Sequence, residues 1–307
     1  MYDLMIIGAG PAGMTGAIYA ARKRMNLVVV SENVGGQTLW TDCVENYPGF
    51  TCIKGIDLVS KFEEHIKSFN IKLEYGRVER LSKIPEGFVA NLEDGRTIDA
   101  RTCVIASGKS PRTLGVPGEK ELLAKGVAYC ATCDAPLFAG LNVAVVGGGN
   151  SGVGAAIQLM QICPKVYLVE SESSLKADEI LRDKMLAGGN VEILTDTVPV
   201  EIIGDNFVTG FKVRNKKTQE ERIIEVQGVF VEIGLEPNSS FVADLVSLTN
   251  KKEIPVNCRA ETGVPGLFAA GDVTDVPAKQ IIIAAGDGAK AALGAYDYLL
   301  HLRQPAG

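Results

Sequence analysis

Cys130 and Cys133, in the stretch Tyr129-Cys130-Ala131-Thr132-Cys133-Asp134, combine residue type and spacing in the way most suited to chemistry. Two cysteines three positions apart can close a small ring reversibly, and neighbouring groups can stabilise one sulfur as a thiolate. The same spacing is half of a zinc site. A complete site needs two more ligands, and the chain has no second CxxC and only two histidines, His65 and His301, which read as surface helix residues. Asp134 beside the pair has two readings. A carboxylic acid there can donate a proton to a thiolate, and an aspartate also suits a helix N-cap. The other five cysteines, Cys43, Cys52, Cys103, Cys163 and Cys258, are scattered and read as thiols in or near the core.

Two glycine turns frame this pair. In LMIIGAGPAGMTGAIYAAR an apolar strand runs into Gly8, Gly10 and Gly13 and then an Ala-rich helix; the next strand, LVVVSE, ends at Glu32. The design recurs in NVAVVGGGNSGVGAAIQLM, with Gly147, Gly149 and Gly152, followed by KVYLVE ending at Glu170. Glycine permits the tight turn and a close approach of pyrophosphate, and the helix start offers free N–H groups and partial positive charge. A carboxylate after the second strand can accept from ribose hydroxyls. The alternative is that the glycines serve only helix–strand packing. Two such units predict an α/β fold with two Rossmann-like dinucleotide-binding domains.

A chain of 307 residues has room for about two domains. Proline- and glycine-rich stretches, TLGVPGEKE (113–121) and EIGLEPNSS (232–240), mark where the chain leaves one domain and returns to it. The expected division is a discontinuous first domain, 1–113 with 238–307, and an inserted second domain, 114–237, that carries the CxxC. Two adjacent linkers make a natural hinge. The formal net charge of −6 argues against a general nucleic-acid binder. No apolar run reaches membrane-spanning length, and MYDLMIIGAG reads as a strand rather than a signal peptide, so a cytoplasmic protein is expected.

Along nearly its whole length the chain resembles the low-molecular-weight flavoprotein thioredoxin reductases. The resemblance rests on IIGAGPAGMTGAIYAAR, GGQTLWTDCVENYPGF, VIASGKSPR, YCATCDAPLF, VVGGGNSG and GLFAAGDVTD, in that order. It implies FAD on the first unit, held by Gly8, Gly10, Gly13, Glu32, Gln37, Asn46, Gly271, Asp272 and Gln280. Glu32 suits the adenosine ribose, Gln37 and Asn46 the flavin edge, and Asp272 the ribityl hydroxyls. It also implies a Cys130–Cys133 disulfide reduced by flavin, with Cys133 facing the flavin and Asp134 serving proton transfer. The dithiol would then reduce thioredoxin through a mixed disulfide, in a homodimer.

One stretch departs from the family. Members that use NADPH carry HRRxxxR after the second strand of the second unit, where arginines grip the 2′-phosphate. Here that stretch reads Glu170-Ser171-Glu172-Ser173-Ser174-Leu175-Lys176, and Gly152-Val153-Gly154-Ala155 lacks the family's acid after the glycine turn. Three electron donors are then open. Ferredoxin stands first, as in the ferredoxin-dependent flavin thioredoxin reductases, which lack the NADPH signatures. Its docking would fall on basic runs such as Arg22 to Arg24, Arg214 to Lys217 or Lys251-Lys252. NADH, with Glu170 on its 2′-hydroxyl, stands second, and weakly bound NADPH third. A non-thioredoxin disulfide partner is a further alternative.

Overall fold

Strand β1 (Tyr2–Ala9) sends Leu4 and Ile6 to one face, among Ala17, Ala20 and Ala291, and Met5 and Ile7 to the other, among Phe88, Ile105 and Val242. Both faces are covered, so the strand is apolar without a break rather than alternating with polar residues. In the computed structural model, residues 1–40, 44 and 46–303 are described, without the side chains of Trp40, Thr132, Cys133 and Arg303. The chain divides into two compact units, Met1–Ser110 with Glu236–Gly307, and Pro111–Leu235.

In the first unit β1 leads into helix α1 (Pro11–Arg22), β2 (Leu27–Val34), α2 (Gly55–Ser68), β3 (Lys72–Tyr75), β4 (Val78–Ile84), β5 (Gly87–Leu92) and β6 (Thr97–Ile105). Pro11 opens α1, where its fixed φ and missing N–H cost nothing. The strands lie in the order β3-β2-β1-β6-β5-β4; β3, β2, β1 and β6 run parallel, and β5 and β4 return antiparallel.

In the second unit α3 (Ala131–Asp134) precedes β7 (Val143–Val146), α4 (Asn150–Leu159), β8 (Val166–Val169), α5 (Glu179–Leu186) and β9 (Val191–Leu194). A three-stranded antiparallel ribbon follows, β10 (Thr197–Gly204), β11 (Val208–Asn215) and β12 (Glu221–Ile224), and then β13 (Gly228–Val231). The parallel sheet runs β9-β8-β7-β13 with Val127–Ala128 at its edge. Val143 and Val145 pack toward α4 with Ala156 and Leu159, while Ala144 and Val146 pack toward Phe211, Val213 and Ile224 of the ribbon.

The chain returns to the first unit as β14 (Leu267–Ala269), parallel to β6, and the long helix α6 (Ile281–Arg303). Helices α1 and α6 touch through small residues: a Cβ on Gly288 would lie 1.9 Å from the Ala12 carbonyl oxygen. The α/β architecture with Rossmann-like sheets is the one expected from the two glycine turns. Among the described residues no helix is long and apolar enough to cross a membrane.

The scattered cysteines depart in part from expectation. Cys103 and Cys163 are buried thiols, but Cys258 is exposed, in a loop tied by the Asn257 side chain to the N–H groups of Arg259 and Glu261. Cys52 is not a thiol but disulfide-bonded. It precedes Ile53, which exchanges backbone hydrogen bonds of 2.8 and 3.1 Å with Val44, so this segment folds back on itself. Cys43 lies outside the described residues. His65 and His301 are exposed on α2 and α6.

Gly152 tests how the second turn is built. Its missing Cβ would stand 1.9 Å from the Gly147 carbonyl oxygen, which is backbone and cannot swing away. Gly152→Ala is expected to destabilise the protein by about 3 kcal/mol, read as a lower midpoint in thermal unfolding. An unchanged midpoint would contradict the close contact.

Candidate functional site

The turn after β1 is a cradle shaped by absent side chains. Gly8 has φ +109°, and a Cβ there would lie 2.3 Å from the Ala106 carbonyl oxygen; a Cβ on Gly13 would lie 1.8 Å from the Gly8 carbonyl oxygen. Gly10 is different, because nothing lies within 4 Å of where its Cβ would be. It is the N-cap of α1, with no side chain capping the helix and no acid in the first turn. The first N–H groups of α1 are left without a side-chain cap, as a pyrophosphate requires.

Two segments expected at FAD reach this turn: a Cβ on Gly36, beside Gln37, would lie 3.8 Å from Gly10 Cα, and one on Gly271 3.0 Å from Ala12 Cβ. Asn46 donates from Nδ2 to Gln280 Oε1 at 2.9 Å, and Gln37 donates from Nε2 to the Lys109 carbonyl at 2.9 Å. Gly271, with φ +73°, carries the chain from β14 into Asp272. Burial pushes the Asp272 carboxyl above its ordinary range, opposed by Lys279 and Lys109. A half-buried carboxylate near two lysines is suited to accept from hydroxyls of a bound group. Glu32 lies exposed within β2.

The sequence did not single out the ion cluster beside Asp272. Lys109 Nζ lies 2.7 Å and Lys279 Nζ 3.7 Å from Glu253 Oε1, all three side chains being largely buried. Lys109 and Glu253 are 144 positions apart, so no local pattern announces the pair.

In the second unit the same cradle is built with a different closing residue. Gly147 has φ +124°, and Gly149 is the uncapped N-cap of α4. Strand register matches Ile7 with Val30 and Val146 with Val169, so Glu170 corresponds to Ser31, and Glu32 stands one residue further on. The contacts agree: the Ala9 N–H donates to Ser31 Oγ at 3.1 Å, and the Gly148 N–H to Glu170 Oε2 at 2.5 Å. Glu170 also accepts from the Ser171 hydroxyl and the Glu172 N–H. Burial works to raise its pKa, and these bonds outweigh it, holding the carboxyl below its ordinary range. The stretch from Glu170 to Asp178 thus folds over the turn, with Lys176 and Ala177 donating to the Gly148 carbonyl and Asp178 exchanging bonds with Asn150.

The redox pair stands on this unit. Cys130 is disulfide-bonded and precedes the short helix α3; the side chain of Cys133 lies outside the described residues. Asp134 stands at the N-cap of the next 3-10 turn without a side-chain capping bond. The approach to Cys130 is anchored by Glu119, only 2 % exposed, which accepts from the N–H groups of Leu114 and Gly115 and from the Tyr129 hydroxyl. Glu232, directly after the fully buried β13, accepts the Ala131 N–H at 3.2 Å, and burial raises its pKa to about 7. Its sequence signal is slight: one acid closing the apolar run Gly228–Val231.

The model of the pyridine nucleotide-disulphide oxidoreductase family matches residues 2–289, and the chain belongs to that family. It is 43% identical over 300 residues to a subunit of alkyl hydroperoxide reductase from Staphylococcus aureus, covering 97% of this chain and 59% of the relative. The chain thus spans about three fifths of that relative's length. Among solved structures it resembles thioredoxin reductase from Streptococcus pyogenes, with 38% identity, TM-score 0.81 and coverage of 98% and 99% of the two chains. Thioredoxin reductase from Lactococcus lactis gives 35% identity, TM-score 0.76 and coverage of 98% and 100%.

Gly10→Ala separates folding from cofactor binding. The added methyl meets no protein atom but enters the cradle, so the flavin-free chain is expected to melt as the parent does. Its FAD affinity, measured by fluorescence titration, should fall about tenfold; an unchanged affinity would place the cofactor elsewhere.

Proposed function

We propose that this chain is an FAD-dependent protein-disulfide reductase that passes an electron pair from flavin bound in the first unit to the Cys130–Cys133 disulfide and on to thioredoxin. The likeness to proteins named thioredoxin reductase, at nearly full coverage of both chains, supports the reaction and the partner. Gly8, Gly10 and Gly13 would receive the FAD pyrophosphate, Asp272 the ribityl hydroxyls, and Gln37, Asn46 and Gln280 the ring edge. FAD, when bound, supplies the electron pair.

Cys133, three positions on, is the partner inferred for the disulfide-bonded Cys130, a reading supported by Cys163, the other cysteine of the second unit, being free. Taking up two electrons and two protons turns this disulfide into a dithiol. One sulfur, as thiolate, attacks the partner's disulfide; a mixed disulfide forms and the partner's other sulfur leaves with a proton. The second cysteine then attacks the mixed bond, restoring the Cys130–Cys133 disulfide and releasing reduced partner. The linkers at 110–111 and 235–236 are where the chain would hinge to let flavin and partner reach the pair in turn.

Glu170 bears directly on the electron donor. A carboxylate held at the glycine turn by the Gly148 N–H favours a ribose 2′-hydroxyl and repels a 2′-phosphate, so NADH is the donor with the best support. Ferredoxin, first in the sequence reading, keeps one argument, the missing basic residues. The basic runs offered for its docking are partly neutralised, since Lys217 pairs with Asp196 and Lys252 with Glu236.

Anaerobic addition of NADH, NADPH and photoreduced ferredoxin to the purified flavoprotein decides between them. Rapid bleaching by NADH is expected, with Glu170→Ala needing about tenfold more of it. Bleaching by ferredoxin alone would return the donor to the sequence reading, and rapid bleaching by micromolar NADPH would contradict both.

A further inference from the structure

The carboxylate of Glu232 is bonded to the CxxC turn, and no motif explains it. Its backbone is fixed on both sides: the Glu232 N–H donates to the Val146 carbonyl at 2.8 Å, and its own carbonyl oxygen lies 2.4 Å from where a Gly147 Cβ would be. The side chain reaches Ala131, the residue after Cys130, and takes its N–H at 3.2 Å. At the start of a CxxC turn such an N–H is a donor that can stabilise a thiolate. Here a carboxylate holds it.

The surroundings isolate Glu232 from other charges. Neither β7, α4 nor β13 carries a titratable side chain. On the CxxC turn the titratable residues are Cys130, Cys133 and Asp134. Tyr129, before them, donates to Glu119, and Glu170, on the other side of the Gly147 turn, is held by Gly148, Ser171 and Glu172. Nothing cationic enters among the groups that shift Glu232, which are burial and the Ala131 bond. Burying a carboxylate with one hydrogen bond and no cation is costly, so its presence calls for a use.

We propose that Glu232 is a positioning residue for the redox pair, setting how readily the dithiol formed at Cys130 and Cys133 gives up its first proton. It acts by withholding the Ala131 N–H and by placing a negative charge on the turn that carries the two cysteines. During exchange the attacking thiol loses a proton, a sulfur–sulfur bond forms with the partner, the partner's bond breaks, and its leaving sulfur takes a proton up. Glu232 governs the first of these events. With its carboxyl titrating at about pH 7, it is neutral in mild acid and charged in mild base. Once charged, it opposes formation of a thiolate and keeps the dithiol protonated. The proposal rests on the disulfide-reductase reading.

The test is alkylation of the dithiol-reduced full-length protein by iodoacetamide, followed by mass spectrometry of the peptide carrying Cys130, from mildly acidic to mildly basic pH. The parent's rate is expected to climb with pH and then to climb more slowly above about pH 7. Glu232→Gln keeps the shape and the acceptor for Ala131 but cannot ionise. Its rate should rise without that break and be about tenfold faster at pH 8. Glu232→Asp, which restores a carboxyl, should bring the break back. A Glu232→Gln profile that overlays the parent's overturns the proposal alone, provided the parent's reduced pair exchanges with thioredoxin. A parent pair that does not exchange at all overturns the proposal together with the reductase reading.

Discussion

In each unit a helix begins so close to the end of the preceding strand that no side chain fits between them. The Cβ missing from Gly13 would stand 1.8 Å from the Gly8 carbonyl oxygen, and the one missing from Gly152 1.9 Å from that of Gly147. That contact fixes the direction in which α1 and α4 leave their sheets and leaves their first N–H groups uncapped. The sheets position these helix starts at the carboxyl ends of their parallel strands, where ligands of doubly wound folds bind. Asp272, Gln37 and Glu170 matter because the cradle has already been placed beside them.

The same scaffold is closed by different groups in the two units. In the first unit the hydroxyl of Ser31 takes the turn's N–H, and the half-buried carboxylate, Asp272, comes from a turn after a strand distant in sequence. In the second unit Glu170 takes that N–H itself, with its charge retained by three donors. A neutral closing group leaves room for an anionic ligand close by. A charged one selects ligands that present hydroxyls and excludes a phosphate.

The parts legible in the sequence were those written in local pattern. Glycine spacing after an apolar strand identified both cradles, because the tight turn and close helix contact have few other solutions. The CxxC was plain from its spacing, whereas Gln37, Asn46, Asp272 and Gln280 are expectations from family resemblance. What stayed hidden depends on distant segments meeting. The Lys109–Glu253 pair, Glu119 beneath Tyr129 and Glu232 against Ala131 each join residues whose neighbours in sequence say nothing of the contact. Glu32 stands one residue further past its glycine turn than Glu170 does. The pairing of β1 with β2 also carries an irregularity between Ile7 and Ala9 that no local pattern announces. Cys52 read as a thiol because an isolated cysteine carries no sign of its partner.

The central claim is that flavin in the first unit and the disulfide at Cys130 belong to one electron path. Anaerobic titration of the FAD-loaded chain with dithionite measures it, by counting the electrons accepted before the flavin is fully bleached. A disulfide in equilibrium with flavin adds a two-electron sink. The parent is expected to accept two electrons more than Cys130→Ser before bleaching is complete. Equal uptake by the two proteins would show that flavin electrons never reach Cys130 and would contradict the claim.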